Sequence, residues 1–284
     1  MSAEAARLRA LAETDVTQEL ASDTVQAVLT SSPFVYVPGT FNTRDVGLVP
    51  TATGEPSKLR PGFVYRSGGL GRLTDDGKLL LVRELGVKKI FDLRSVQERS
   101  SNPDPEIEGV ENVWFSSSER DASVNVDDFV EGLGEKGYIK MYSDVVDLYR
   151  HHFRAVLEHV RDSPHEPFLF HCTAGRDRTG VLSGLLMTLA GADPDTVTLD
   201  FLLSRIGTEP ARQQLLAFAK KESRIASTEQ PGFLNLANLR EVCWQAFLSA
   251  MDREYGGFHG YVSKTLGFSE DDMEVIVKNL SGSA

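Results

Sequence analysis

The sequence predicts an α/β fold, with a small, mostly parallel central sheet flanked by helices and a helix-rich C-terminal part. Two observations lead to this prediction. Short apolar segments of strand length alternate with segments of helical periodicity up to about residue 190. Beyond residue 193 only helical periodicity remains. Strands separated by helices are typical of parallel sheets, in which a helix carries the chain from one strand to the next.

The N-terminal residues 3–29 have apolar side chains at helical spacing, which predicts one or two amphipathic helices. The run Ser31-Ser32-Pro33 then interrupts the pattern. A segment of this length is too short to bury a core of its own, so we expect it to pack on the rest of the chain. The predicted organisation is an N-terminal helical extension, residues 1–30, followed by a single domain, residues 31–284.

Several short apolar segments have the composition and length of buried strands. A helix is expected between the first two of them, with Thr74 as its N-cap and Glu84 at its end. The last of them leads directly into a cysteine, and a buried helix is predicted a few residues later, at residues 181–190. The predicted strands are residues 64–66, 87–94, 113–115 and 167–170.

A long helical pattern at residues 141–161 carries His151, His152 and His159. No cysteine or carboxylate pattern completes a metal site around them, so we expect solvated histidines and no bound metal. A glycine-rich run at 132–137 has the spacing of a dinucleotide-binding turn, but no strand precedes it, so no cofactor is expected. Further helices are predicted from Asp193, at 211–222, at 233–255 and from Ser269.

The formal net charge of −11 argues against a general affinity for nucleic acid or for an anionic membrane surface. No run approaches the ~18 apolar residues of a membrane-spanning helix, so no integral membrane segment is expected. The two cysteines, Cys172 and Cys243, cannot form a disulfide framework, and the N-terminus lacks the apolar core of a signal peptide. These features favour a cytoplasmic protein.

The segment that carries the chemistry lies between the last predicted strand and the buried helix. It contains Cys172, five further residues, Arg178 and then Thr179. A tight loop that enters a helix directs backbone N–H groups inward, and the helix N-terminus adds partial positive charge. Such a loop binds an anion and favours a thiolate. The predicted anion-binding residues of this cysteine loop (residues 172–178) are Thr173, Ala174, Gly175, Arg176, Asp177 and Arg178.

Three side chains of this segment suit a two-step phosphoryl transfer. Arg178 has a planar guanidinium that grips two phosphate oxygens at once. Cys172 is the candidate nucleophile of a two-step reaction, and the Thr179 hydroxyl stabilises the sulfur when it leaves. Cys243 lies on a helical stretch and is expected to be a core residue.

The pattern Cys172-x5-Arg178-Thr179, with His171 before it, resembles the signature loop of the cysteine-dependent protein tyrosine phosphatases. The fuller string resembles the His-Cys-x-x-Gly-Lys-Asp-Arg-Thr-Gly version of an atypical tyrosine/serine branch, known from secreted bacterial phosphatases and from fungal relatives. Arg176 stands where that branch usually has lysine. The segments 42–47, 59–67 and 85–95 resemble further blocks of the branch, so the likeness extends over roughly residues 34–280.

The resemblance implies a tyrosine-phosphatase-like fold and a phosphomonoester hydrolase that forms a cysteinyl-phosphate on Cys172, supported by His171. The implied substrate is a phosphorylated protein carrying phosphotyrosine, with phosphoserine, phosphothreonine or phosphoinositide as additional targets. Three alternatives stay open. They are a metabolic phosphatase of the same fold acting on a small phosphorylated molecule, a phosphate-binding pseudophosphatase, and a sulfurtransferase.

The sequence leaves the proton donor open among three aspartates, because both half-reactions require a carboxyl group. Asp177 lies within the cysteine loop itself, where the branch also has an aspartate. Asp92 follows a predicted strand, and the carboxyl ends of parallel strands are where sites form. Asp121 belongs to a polar run at 116–128, long enough to be a flap.

Three further questions stay open. Arg176 would either bind a second negative group of the substrate or anchor the loop by pairing with an acidic neighbour. The polar residues Arg44, Asp45, Arg66 and Ser67 would form either an ion-pair and capping network or a rim that orients the cysteine loop. The aromatic side chains of the C-terminal part are expected in the core, with a wall of the substrate site as the alternative. These are Phe233, Trp244 and Phe247.

Overall fold

The structure is a computed structural model, and it describes residues 2–51, 53–55, 57–116, 124–223, 225, 227 and 229–282. Within these residues the centre of the fold is one five-stranded sheet with the strand order β1-β2-β5-β3-β4. The first strand is antiparallel to its neighbour and all other pairs are parallel. The strands are β1 (Arg44–Asp45), β2 (Val64–Ser67), β3 (Lys89–Asp92), β4 (Glu111–Trp114) and β5 (Phe168–His171).

Strand β5 occupies the middle of this sheet, and its register fixes what lies beside the cysteine loop. His171, its last residue, pairs with Ser67 of β2 on one side and with Asp92 of β3 on the other. The carboxyl ends of these three strands therefore meet at one edge, directly before Cys172. The prediction of a small, mostly parallel sheet is confirmed.

Helices cover both faces of the sheet, and thirteen α-helices lie within the described residues. Two of them end in a π-helical turn, at Leu80–Glu84 and Tyr261–Thr265. The helices are α1 (Ala3–Ala12), α2 (Ser22–Leu29), α3 (Asp75–Leu79), α4 (Val96–Ser101), α5 (Glu135–Leu148), α6 (Arg150–Asp162), α7 (Asp177–Leu189), α8 (Pro194–Gly207), α9 (Arg212–Glu222), α10 (Phe233–Ala237), α11 (Glu241–Tyr255), α12 (Gly257–Gly260) and α13 (Glu270–Ser281).

Successive residues of the central strands face opposite layers, which explains why the strands read as continuous apolar runs. Phe168 and Phe170 of β5 belong to the large core that also contains α7. Leu169 points to the other face and packs with Ile90 and Leu81 in a smaller core. Helix α7 is buried along nearly its whole length and lies behind the cysteine loop.

Two long helical patterns are divided in the structure. The pattern at 141–161 begins earlier, at Glu135, and breaks at Tyr149, whose backbone leaves the helical region (φ −99°, ψ 15°). The pattern at 233–255 breaks at Asn238, which has extended backbone angles (φ −79°, ψ 144°). In both cases the apolar spacing continues across the break, so periodicity alone does not reveal it.

The prediction of solvated histidines is wrong for two of the three on α6. His152 and His159 are 2% and 5% exposed. His152 packs against the rings of Phe115 and Tyr149, at centroid distances of 5.2 and 5.3 Å. Burial lowers the pKa of His152 to about 4, because a charged imidazole is poorly solvated there.

The N-terminal helices pack on the large core through Leu8 of α1 and Val28 of α2. The turn between them is fixed by two side chains from the C-terminal part. Arg205 donates to the carbonyl oxygens of Thr14 and Gln18, and Asn238 accepts a hydrogen bond from the backbone N–H of Val16. No described helix is long and apolar enough to cross a membrane.

Candidate active site

The cysteine loop connects the end of β5 to the start of α7. Cys172 is 2% exposed and follows His171 directly. Gly175 has a positive φ of 66°, and a Cβ atom at this position would lie 2.4 Å from the carbonyl oxygen of Ser67. Only glycine fits this approach of the loop to β2. The loop then enters α7 at Asp177, four residues before the start predicted for this helix.

The carbonyl oxygens of three consecutive loop residues are held by donors outside the loop. Gly69 donates its N–H to Thr173 at 3.1 Å. Asn42 donates its side-chain amide to Ala174 and Gly175, at 3.2 and 2.9 Å. In a trans peptide the N–H points opposite to the C=O. The next backbone N–H groups along the loop therefore point away from these donors.

A buried arginine network, formed by Arg44, Arg66 and Asp200, lies beneath the loop. Arg44 donates through Nε to Asp200 at 2.8 Å, and Arg66 donates to the other carboxylate oxygen of Asp200. Arg66 also donates to the carbonyl oxygen of Gly175 at 2.9 Å. The network thus pairs ions and orients the loop at the same time. Burial and the charge of Arg66 lower the pKa of Arg44 to about 10.

Asp45 and Ser67 have local structural contacts. Asp45 accepts hydrogen bonds from the backbone N–H groups of Gly47 and Gly62, at 2.9 and 2.6 Å. The Ser67 hydroxyl is 2.7 Å from that of Thr43. These two residues fit the capping interpretation, while the two arginines beside them reach the cysteine loop.

The guanidinium of Arg178 binds Glu98 along one of its edges, and Glu98 was not predicted from the sequence. The Nη1 and Nη2 atoms of Arg178 lie 2.6 and 2.7 Å from the two Glu98 carboxylate oxygens. Nη1 also donates to the carbonyl oxygen of Leu93 at 3.0 Å. The Nε of Arg178 makes no hydrogen bond to any described residue. The Nε/Nη2 edge of the guanidinium is therefore available for a second, bidentate anion.

Glu98 also contacts the opposite end of the loop, because Thr173 donates its hydroxyl to Oε1 at 2.5 Å. Burial alone would raise the pKa of Glu98, but the charge and hydrogen bonds of Arg178 lower it to about 2. A sequence signal for its position existed. Ser95 and Glu98 form a capping box at the start of α4, and Ser-x-x-Glu is its recognisable pattern.

The candidate aspartates have different surroundings. Both carboxylate oxygens of Asp92 are bound to the guanidinium of Arg94, at 2.8 and 2.9 Å. Asp177 lies in the first turn of α7 and accepts one hydrogen bond through Oδ1, from the Tyr142 hydroxyl at 2.9 Å. Its Oδ2 accepts none from the described residues. Asp121 lies outside the described residues.

His171 belongs to a charged cluster on the far side of the loop. Its Nε2 is 2.8 Å from Asp104, a residue not singled out in the sequence. The ligand atoms of Asp92, Asp104 and His171 lie within 4.8 Å of one another, and Arg94 donates to both carboxylates. Burial would raise the pKa of Asp104, but the neighbouring His171 and Arg94 lower it to about 2. The arginine supplies the cation of this cluster.

Arg176 and Thr179 are the remaining predicted site residues of the loop region. Arg176 donates through Nη1 to the carbonyl oxygen of Ala237 at 2.9 Å, at the end of α10. It therefore anchors the loop, but through a backbone oxygen and not through an acidic side chain. The Thr179 hydroxyl is fully buried and has no hydrogen-bond partner among the described residues. A buried hydroxyl without a partner is unusual in a folded protein.

The aromatic residues of the C-terminal part are core residues. Phe233, Trp244 and Phe247 are each 0% exposed. Trp244 stacks on Phe201 with a centroid distance of 4.6 Å. Cys243 is also fully buried, and burial raises the pKa of its thiol to about 11. Their assignment to the core is confirmed.

Comparison with known proteins identifies the family to which this chain belongs. The tyrosine phosphatase family matches residues 35–282, so the chain belongs to this family and is a phosphatase. A tyrosine-protein phosphatase from Nostoc commune is 29% identical over 215 residues, which cover 74% of this chain and 71% of that protein.

Two further similarities accompany this match. The triple specificity protein phosphatase PtpB of Mycobacterium tuberculosis is 30% identical over 205 residues, covering 63% of this chain and 72% of that protein. Among solved structures, the core catalytic domain of the PP-IP phosphatase SIW14 from S. cerevisiae has a TM-score of 0.32 and 16% identity. That alignment covers 60% of this chain and 96% of that chain.

Proposed function

We propose that this phosphatase hydrolyses phosphomonoesters through a covalent cysteinyl-phosphate on Cys172. The observation that supports the proposal is that the carbonyl oxygens of Thr173, Ala174 and Gly175 accept hydrogen bonds from groups outside the loop. Because the N–H of each following residue points opposite to these oxygens, we expect the N–H groups of residues 174–176 to face a bound phosphoryl group. Together with the open edge of Arg178, these donors form a site for a phosphoryl group whose charge grows in the transition state.

In the first half-reaction the thiolate of Cys172 attacks phosphorus in line. An S–P bond forms, the ester P–O bond breaks, and the leaving oxygen takes a proton from Asp177. In the second half-reaction water attacks the phosphorus and gives its proton to Asp177. The S–P bond then breaks, phosphate leaves, and the Thr179 hydroxyl stabilises the thiolate that forms again.

Asp177 suits the role of proton carrier better than Asp92 does. One carboxylate oxygen of Asp177 has no partner among the described residues, so it can meet the leaving oxygen. Asp92 has both oxygens committed to Arg94 and is fully buried. Protonating Asp92 would break a buried ion pair, which is costly.

The proposed substrate is phosphotyrosine in a protein, with phosphoserine, phosphothreonine or a phosphoinositide as additional targets. The names of the relatives, a tyrosine-protein phosphatase and a triple specificity phosphatase, support this range. A small phosphorylated metabolite is the second candidate, because the loop recognises phosphate and not its carrier. A thiolate nucleophile needs reducing conditions, so the proposed compartment is the cytoplasm.

The nucleophile is tested by Cys172→Ser with Cys243→Ala as the matched control. We expect Cys172→Ser to lower kcat on an aryl phosphate by about 10⁴-fold or more, and the control to retain activity. Trapping of ³²P on the protein in acid-quenched wild type, and its loss in Cys172→Ser, would identify the intermediate. Substantial turnover by Cys172→Ser would overturn the mechanism.

The proton carrier is tested by comparing Asp177→Asn with Asp92→Asn on two aryl phosphates, one with a good and one with a poor leaving group. We expect Asp177→Asn to lose about 10²-fold or more on the poor leaving group and much less on the good one. Equal losses on both substrates would show that Asp177 is not the acid. A leaving-group-dependent loss in Asp92→Asn would assign the role there.

A further inference from the structure

Helix α5 contributes one hydroxyl to the cysteine loop region that no part of the mechanism above uses. Tyr142 is 0% exposed, yet its hydroxyl donates to Asp177 Oδ1 at 2.9 Å. We propose that Tyr142 is the positioning residue of the proton carrier, holding one oxygen of Asp177 so that the other faces the leaving oxygen. This inference rests on the proposed role of Asp177.

The Tyr142 ring cannot turn its hydroxyl elsewhere without disturbing the core. It packs edge-on against four other aromatic rings, at centroid distances between 5.2 and 6.2 Å. Close packing of this kind leaves one rotamer, so the direction of the O–H group is fixed. The aromatic neighbours are Tyr138, Phe201, Trp244 and Phe247.

The hydrogen bond has a chemical consequence for both half-reactions. A donor to one carboxylate oxygen favours the ionised form of the acid, which is the form that exists after proton transfer to the leaving group. Burial raises the pKa of Tyr142 well above its ordinary value, so the phenol keeps its proton throughout the working range. Tyr142 is thus a permanent donor, and Asp177 is the partner that changes charge.

Other charged and titratable groups near Asp177 remain in place when only this hydroxyl is removed. They are Cys172, Arg176 and Arg178 from the cysteine loop, and Tyr138 from α5. Tyr138 lies one helical turn before Tyr142 and is equally buried. Its hydroxyl donates to the backbone carbonyl oxygens of Leu236 and Asn238 and not to a carboxylate. Tyr138→Phe is therefore a matched control for Tyr142→Phe.

The test is the pH dependence of kcat/KM on an aryl phosphate with a poor leaving group. Tyr142→Phe removes the hydrogen bond to Asp177 Oδ1, which favours the ionised carboxylate, so the alkaline limb of the profile should move upward. Tyr138→Phe should leave the limb in place. 3-Fluorotyrosine at position 142 is a stronger hydrogen-bond donor than tyrosine, so it should move the limb downward. This variant replaces Tyr142→Phe in the test if Tyr142→Phe folds poorly.

The outcomes separate this inference from the proposed function. If Asp177→Asn keeps the alkaline limb, Asp177 is not the acid, and the proposed role fails together with the inference. If Asp177→Asn abolishes the limb while both position-142 variants leave it at the wild-type pH, only the role of Tyr142 is overturned. An equal shift in Tyr138→Phe would also overturn it, since the effect would then come from loss of packing.

Discussion

Ion pairs hold the cysteine loop on two sides, and the two sides differ in burial and in what they hold. Beneath the loop, the side chains of Arg44, Arg66 and Asp200 are 0%, 0% and 1% exposed. This network contacts the backbone of the loop, through the hydrogen bond from Arg66 to the carbonyl oxygen of Gly175. At the edge of the loop, the side chains of Arg178 and Glu98 are 18% and 11% exposed, and Glu98 holds the guanidinium of Arg178.

The difference shows how the loop can be held rigidly while Arg178 stays accessible to an anion. The buried arginine network has two positive charges and one negative, so within the described part of the chain Asp200 is the one counter-charge of a cluster that water cannot reach. Losing it would leave charges unpaired in a medium where that is costly. The Glu98 pair keeps contact with solvent, so an anion can reach the open edge of Arg178. We therefore expect substitutions on the buried side to affect folding and those at the edge to affect turnover.

The largest effect is expected on the buried side. Asp200→Asn keeps the shape of the side chain but removes the counter-charge of Arg44 and Arg66. The free energy of unfolding, measured by urea denaturation, should fall by about 3–5 kcal/mol. Asp195→Asn, an exposed position on the same helix, should change it by less than about 0.5 kcal/mol. A loss of less than 1 kcal/mol for Asp200→Asn would contradict a stabilising role.

A smaller effect on stability and a clear effect on turnover are expected at the edge. Glu98→Gln replaces the charged fork that orients Arg178 by a weaker partner. We expect kcat/KM to fall about 10- to 100-fold, because a misplaced guanidinium binds the transition state poorly. Glu158→Gln, which alters a solvent-exposed pair on α6, should leave kcat/KM unchanged. Wild-type kinetics in Glu98→Gln would show that Arg178 is oriented without it.

The smallest expected effect is the loss of folding stability at low pH, to which both Glu98 and Asp200 contribute. The folded-state pKa of Glu98 is about 2, below its usual 4.5, and that of Asp200 is about 2, below its usual 3.8. A depressed pKa contributes stability above the usual value, and this contribution is lost as the pH falls towards 2. The wild type should therefore lose stability between pH 4.5 and 2. The decline should be shallower in Glu98→Gln, measured by thermal unfolding across this range, and an identical decline would contradict the assignment.

Residues close together in the sequence determined the centre of the site. The strand before Cys172 and the buried helix behind the loop follow from apolar spacing within about twenty residues, although the helix begins four residues before its predicted start. The same local signals placed β2, β3 and the N-cap at Thr74. Such patterns can be read from sequence because their physical cause, backbone geometry and burial of one segment, is itself local.

Only the tertiary structure decided which distant side chains complete the site. Glu98 is 80 residues from Arg178, and Tyr142 is 35 residues from Asp177. Neither pairing has a periodicity or spacing that could predict it, since each depends on how the chain crosses the sheet. The burial of His152 was misjudged for the same reason. A helix shows in sequence that it has an apolar face, but the width of that face depends on the elements that pack against it.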